Sequence, residues 1–121
     1  MFKIIEGLAP NVLGIEAAGK VTHEDYRDVF IPRAEALIAT GPARMLYVIG
    51  KDFSGFELEA LADDAAFGLK RLRDFSHLAV VSDHSVLNSM ILMFKPFFQG
   101  EFRLFSLAEL SAAKSWVTSA S

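Results

Sequence analysis

The stretch ARMLYVIG, Ala43 to Gly50, decides the fold. Apart from Arg44 it is apolar without a break, and it ends on a glycine. A strand with one face in water alternates polar and apolar side chains; a run like this one calls for cover on both faces, as in the middle of a parallel sheet. HLAVVS, His77 to Ser82, reads as the next central strand. Working outward, the chain supplies the helices and edges that such a sheet requires.

Upstream, FKIIEGL (Phe2 to Leu8) and NVLGIEAAG (Asn11 to Gly19) read as two strands, and Ala9-Pro10-Asn11 between them is a turn signal, so a hairpin is expected. Thr22 is a good helix N-cap with Asp25 three residues on. Tyr26, Phe30, Arg33 or Ala34, and Leu37 then follow a helical period, Pro32 should kink or split that helix, and Gly41-Pro42 ends it. After the central strand comes the loop KDFSG and a helix from about Phe56 to Arg73. Leu58, Leu61, Ala62, Ala65, Leu69 and Leu72 share one face of it and are expected to point inward, which leaves Phe67 on the outer side. Asp63 and Asp64 are expected to face solvent.

Downstream, Asp83 or Ser85 should cap a helix that ends near Phe94, before Pro96. EFRLFSL (Glu101 to Leu107) reads as an edge strand, and LAELSAAKSWVTS as a last helix with Leu110, Ala113 and Val117 inward. The order β-β-α-β-α-β-α-β-α predicts an α/β fold: an open, mostly parallel five-stranded sheet with an N-terminal antiparallel hairpin. No linker or repeat divides residues 1–121, so one domain is expected.

Composition narrows the function classes. With 12 Lys plus Arg against 15 Asp plus Glu the net charge is −3, and no basic groove is interleaved with the eleven Phe, so nucleic acid is not an expected partner. Cysteine is absent, which removes disulfides, thiol nucleophiles and Cys-based zinc sites. His23, Glu24 and Asp25 are neighbours that point in different directions and make no metal cage on their own. No secretory pattern follows Met1, so a cytoplasmic location is expected. No cofactor motif and no catalytic constellation stands out; an enzyme is the least supported class, and neither a catalytic nor a metal-binding residue is assigned.

The 52% hydrophobic content has one concentrated source, VLNSMILMFKPFF, Val86 to Phe98. At 100° per residue, Val86, Met90, Met93 and Phe97 form one stripe and Leu87, Ile91, Phe94 and Phe98 the next, with Leu92 apart. The two stripes together exceed what a surface helix needs for its own core. The segment is too short to span a bilayer, and Lys95 alone is a poor basic flank for a helix lying on a membrane. Burial within the fold and a shared surface both remain open, and the composition favours the second. Phe67, Met90, Ile91, Met93, Phe94 and Phe97 are the candidate interaction residues, with a homodimer as the simplest closure.

Three runs carry a family resemblance: GKVTHEDYRDVFIPRAEALI (Gly19 to Ile38), YVIGKDFSGFELEALADDAAFGLK (Tyr47 to Lys70) and FSHLAVVSDHSVL (Phe75 to Leu87), with FRLFSLAELSAAKSWV fitting as well. Over nearly its whole length the chain resembles the SpoIIAA-like family of small bacterial proteins, which are similar to the STAS domain of the sporulation anti-sigma-factor antagonist. The resemblance implies helices wound on an open sheet as a β-α superhelix, a relationship to the lipid-binding CRAL-TRIO domains, and no established activity. In the regulatory relatives a phosphorylatable serine precedes a glycine in an Asp-Ser-Ser-Gly run. DFSG, Asp52 to Gly55, takes that place here, so the resemblance puts Ser54 at the phosphoacceptor position, with Phe53 replacing the first serine. A phosphate there is expected to meet a helix N-terminus.

The carboxyl ends of the central strands are where open α/β sheets hold ligands. Asp52, Phe53 and Ser54 leave one such strand, and Asp83, His84 and Leu87 follow the other. A pocket between these two loops, taking a lipid or another small apolar ligand, is the alternative function.

Overall fold

The computed structural model describes residues 1–120, with Leu69 described by its backbone alone. The apolar strand β4 (Ala43–Ile49) pairs in parallel with β2 (Val12–Ala17) on one side and with β6 (Phe75–Val81) on the other. At one edge β1 (Phe2–Ile4) runs antiparallel to β2; at the other, β7 (Glu101–Phe105) is parallel to β6. The order β1-β2-β4-β6-β7 is the mostly parallel five-stranded sheet with an opening hairpin that the sequence implies.

Among the described residues four α-helices accompany the strands: α1 (Ile31–Ile38), α2 (Leu58–Arg71), α3 (Ser85–Phe94) and α4 (Leu110–Ser119). Because β2, β4, β6 and β7 succeed one another in one direction, right-handed crossovers put α1, α2 and α3 on the same face. There the larger core gathers Ile15, Tyr26, Phe30, Met45, Phe67, Phe75, Leu78 and Phe102. The opposite face packs Val12, Leu46, Val48, Ala79, Val81 and Phe105 under Ala113 and Val117 of α4.

Thr22 and Asp25 do form a reciprocal cap, Thr22 N–H donating to Asp25 Oδ2 at 2.8 Å and Asp25 N–H to Thr22 Oγ1 at 3.2 Å. Pro32 stands in the first turn of α1, at the point where the helical segment divides: Asp25–Phe30 winds as a π-helical stretch that leads directly into α1, with Ile31 N–H donating to Tyr26 O. The wider turn absorbs the backbone donor that Pro32 lacks. It also brings both Tyr26 and Phe30 inward, edge to face at 5.5 Å.

The loop after β4 holds a second, small sheet that the sequence reading missed. β3 (Lys20–Val21) pairs in parallel with β5 (Gly55–Phe56), and Glu57, not a residue nearer Ser54, is the N-cap of α2.

The face of α2 is the main correction. Leu58, Leu61, Ala62 and Ala65, expected inside, are exposed, while Ala60 and Phe67 are buried. Phe67 is thus removed from the candidate interaction surface. Its ring lies 5.0 Å from that of Phe30 and 6.3 Å from that of Phe75. A buried aromatic socket of this kind contributes more than leucines left at a rim. The Leu69 side chain, also expected inside, lies outside the described residues.

Candidate functional site

Two hydrogen-bonded anchors fix this orientation of α2, and both use the aspartates expected in solvent. The buried Tyr26 hydroxyl donates to Asp64 Oδ1 at 2.8 Å and lies 3.3 Å from the Tyr47 hydroxyl. Burial pushes both tyrosine hydroxyls far above their ordinary range. Asp64 is open to solvent on its outer side, yet the packing around its carboxyl raises its pKa against the opposing bond from Tyr26. One residue earlier, Asp63 Oδ2 meets His23 Nδ1 at 2.5 Å, while His23 N–H donates to Glu57 Oε1 at 3.1 Å. The hydrogen bond that the His23 ring donates to Asp63 holds its pKa above 6.5, against the loss of hydration at the ring. His23 is therefore a brace between helices, not one member of a His23-Glu24-Asp25 cluster.

On α3 the two stripes separate except at Phe94, which belongs to the inner stripe yet is exposed. Leu87 and Ile91 are half-buried against the core, and Phe98 beyond the helix is buried beside Phe102. Val86, Met90, Met93 and Phe97 stand 66%, 60%, 77% and 79% exposed. Phe94 and Leu92 are exposed as well, and no residue of α3 is buried. Of the candidate interaction residues, Met90, Met93, Phe94 and Phe97 thus share an open apolar surface, with Ile91 at its inner margin. Leu58 and Leu61 add exposed apolar area on α2.

His84 is the cap of α3, a role the sequence reading gave to Asp83 or Ser85. Its Nδ1 accepts from Leu87 N–H at 3.2 Å, so the neutral ring carries its proton on Nε2. Ser82 Oγ accepts from His84 N–H at 3.0 Å. Asp83 reaches across to the loop after β7, where its Oδ1 accepts from Leu107 N–H at 3.0 Å. Between these residues and the end of β4 lies a cleft of about 250 Å³, lined by Ile49, Gly50, Lys51, Phe53, Asp83, His84 and Leu107.

Three of the six predicted pocket residues, Phe53, Asp83 and His84, line that cleft; Asp52, Ser54 and Leu87 do not. The Asp52 carbonyl accepts from Gly19 N–H, and Ser54 N–H donates to Gly19 O at 2.8 Å. Leu87 packs inward on the core. Ser54 is exposed and is followed by β5 (Gly55–Phe56), with Glu57 as the N-cap of α2. Among the described residues no group of three or more His, Cys, Asp or Glu side chains could hold a metal ion, and no helix is long and apolar enough to cross a membrane.

The SpoIIAA-like family profile matches residues 12–118, from β2 nearly to the end of α4. The chain belongs to the SpoIIAA-like family. Among solved structures, this SpoIIAA-like chain is similar to an uncharacterised protein of the DUF3478 family with a SpoIIAA-like fold from Shewanella loihica PV-4. The two are 27% identical, with a TM-score of 0.75 over 97% of this chain and 92% of that one. No curated protein matches the chain. The family membership agrees with the resemblance drawn from the sequence and fixes the architecture of the domain.

Proposed function

We propose that this SpoIIAA-like chain is a cytoplasmic interaction domain that self-associates through the outer stripe of α3. One observation carries the reading: α3 has seven apolar residues in ten and buries none of them. At about 25 cal/mol per Å² of apolar surface, an open stripe of this composition is a standing drive toward a covering partner. Met90 and Met93 beside Phe94 and Phe97 give that surface adaptable and aromatic side chains, a mixture suited to protein contact. The flanks favour a protein over a lipid surface, since Lys95 is the one cation in Ser85–Phe97. Sedimentation velocity across a concentration series tests the reading. Wild-type protein is expected to form a dimer, and Met93→Glu to remain a folded monomer. A wild-type chain that is monomeric throughout, or a Met93→Glu variant that dimerises normally, would overturn it.

A second reading rests on the cleft. Ile49, Phe53 and Leu107 supply apolar walls, while Lys51, Asp83 and the cap residue His84 supply polar groups at its margin. This combination suits a small ligand with an apolar body and a polar end. Native mass spectrometry of gently purified protein should then show a discrete added mass that Phe53→Glu removes; an unliganded spectrum with no gain from added fatty acid would count against it.

A further inference from the structure

The free edge of the sheet gives the self-association a specific geometry. Along β7 the backbone direction is set by Ser82 N–H, which donates to Phe105 O at 2.9 Å. Amide groups alternate sides along a strand, so Glu101, Arg103 and Phe105 address β6, and Phe102 and Leu104 present N–H and C=O outward. Among the described residues no strand pairs with that outer side. Gly100 leads into β7 pressed against β6, where an added Cβ would lie 2.4 Å from Ser76 O.

The side chains make this edge complementary to itself. Glu101 and Arg103 are both exposed and project on the α4 side. Glu101 has no ion-pair partner among the described residues, and Arg103 rests its guanidinium over the rings of Phe105 (4.8 Å) and Trp116 (5.8 Å) without meeting a carboxylate. An antiparallel pair of β7 strands centred on Phe102 sets each Glu101 opposite the other copy's Arg103. The same register makes Phe102–Phe102 a hydrogen-bonded position and Glu101–Arg103 a non-hydrogen-bonded one, where facing side chains come closest. Centring on Arg103 would instead set the two like-charged Arg103 side chains opposite each other.

We infer that two copies join β7 to β7 in the register centred on Phe102, giving one continuous sheet with α3 of each copy beside the seam. This rests on the self-association proposed above and names its partner face. The joining axis stands perpendicular to the sheet, so the copies place their α3 helices on the same face. Because α3 links β6 to β7, it is the helix nearest that edge, and the joining sets the two α3 helices, with their exposed Met90, Met93 and Phe97, on the same side of the seam. The arrangement pairs the open strand edge and gathers the open apolar helices beside it.

The absence of cysteine permits a direct test. In E101C/R103C the two substituted positions face across the seam within disulfide reach, whereas in either single variant the identical positions lie diagonally and too far apart. Oxidised glutathione should cross-link most of the double variant into a covalent dimer, and at least about fivefold less of each single variant. Independently, R103E should weaken the dimer about tenfold and E101R/R103E should restore it, since cross-strand charge pairs act with either polarity. If Met93→Glu dissociates the dimer while R103E does not and the double cysteine variant fails to cross-link selectively, the register is wrong and the α3 reading survives. If wild-type protein is monomeric at every concentration, both fail.

Discussion

The two faces of the sheet are covered by helices that invert the usual relation between apolarity and burial. Under α4, five apolar residues in ten suffice to seal one face, and Ala113 and Val117 have no solvent exposure at all. On the other face α3 carries seven apolar residues in ten and buries none. Helix α4 succeeds because its small and branched residues stand on the side facing β4 and β6, supported by Arg44 Nη1 donating to Val117 O at 3.1 Å. Helix α3 spreads its apolar residues around more of its circumference than the sheet can reach. The difference teaches that the hydrophobic content of a helix measures what could be covered, while the geometry of its stripe decides what its own chain covers.

The sharpest way to break this contrast is to place a carboxylate on each helix. Val117→Asp puts an unpaired charge where water cannot reach, and the expected result is loss of a cooperative thermal transition. Met93→Glu should change monomer stability by less than about 0.5 kcal/mol in urea titration, since its site is already in water. Equal damage from both would mean that α3 is packed more firmly than its exposure indicates.

Helix α2 holds the same contrast within a single element. Phe67→Ala should cost about 3–5 kcal/mol by emptying the socket between Phe30 and Phe75. Leu58→Ala, at a position 84% exposed, should cost less than about 0.5 kcal/mol. Chemical denaturation of both variants checks the orientation of the helix directly. Tyr26→Phe removes the hydroxyl that holds Asp64 and should cost about 1–3 kcal/mol, with the helix otherwise in place.

The smallest expected effect is on pH dependence. His23 has its pKa raised in the folded chain, so the folded state holds the proton more tightly than the unfolded one. Its contribution is fully present below pH 6.5 and fades as the pH rises through the raised value. An NMR titration of the imidazole should give a midpoint above 6.5 in the wild type, falling toward 6.5 in Asp63→Asn. Identical midpoints in the two proteins would remove the His23–Asp63 brace from the account.

These variants also mark how far the sequence was legible. The central place of ARMLYVIG and HLAVVS in the sheet was legible, because strands covered on both faces leave a continuous apolar record. The inner side of α4 was readable for a similar reason, since its apolar residues fall on one stripe. The inner side of α2 was not. A projection of Leu58 to Leu72 weighs apolar area alone, whereas the orientation is decided by Tyr26, Phe30 and His23, residues more than 30 positions earlier in the chain. The cleft was half readable: strand ends fix where Phe53, Asp83 and His84 emerge, but the small β3–β5 pair that turns Ser54 away depends on a pairing between distant residues. His84 as a helix cap was hidden by chemistry, since imidazole is not among the side chains ordinarily expected there.

Hydroxyl-radical footprinting across protein concentration tests most directly whether the outer stripe of α3 is covered by another copy. Oxidation of Met90 and Met93 should fall as concentration rises. Undiminished labelling of both methionines at concentrations where the chain is fully assembled would contradict the account.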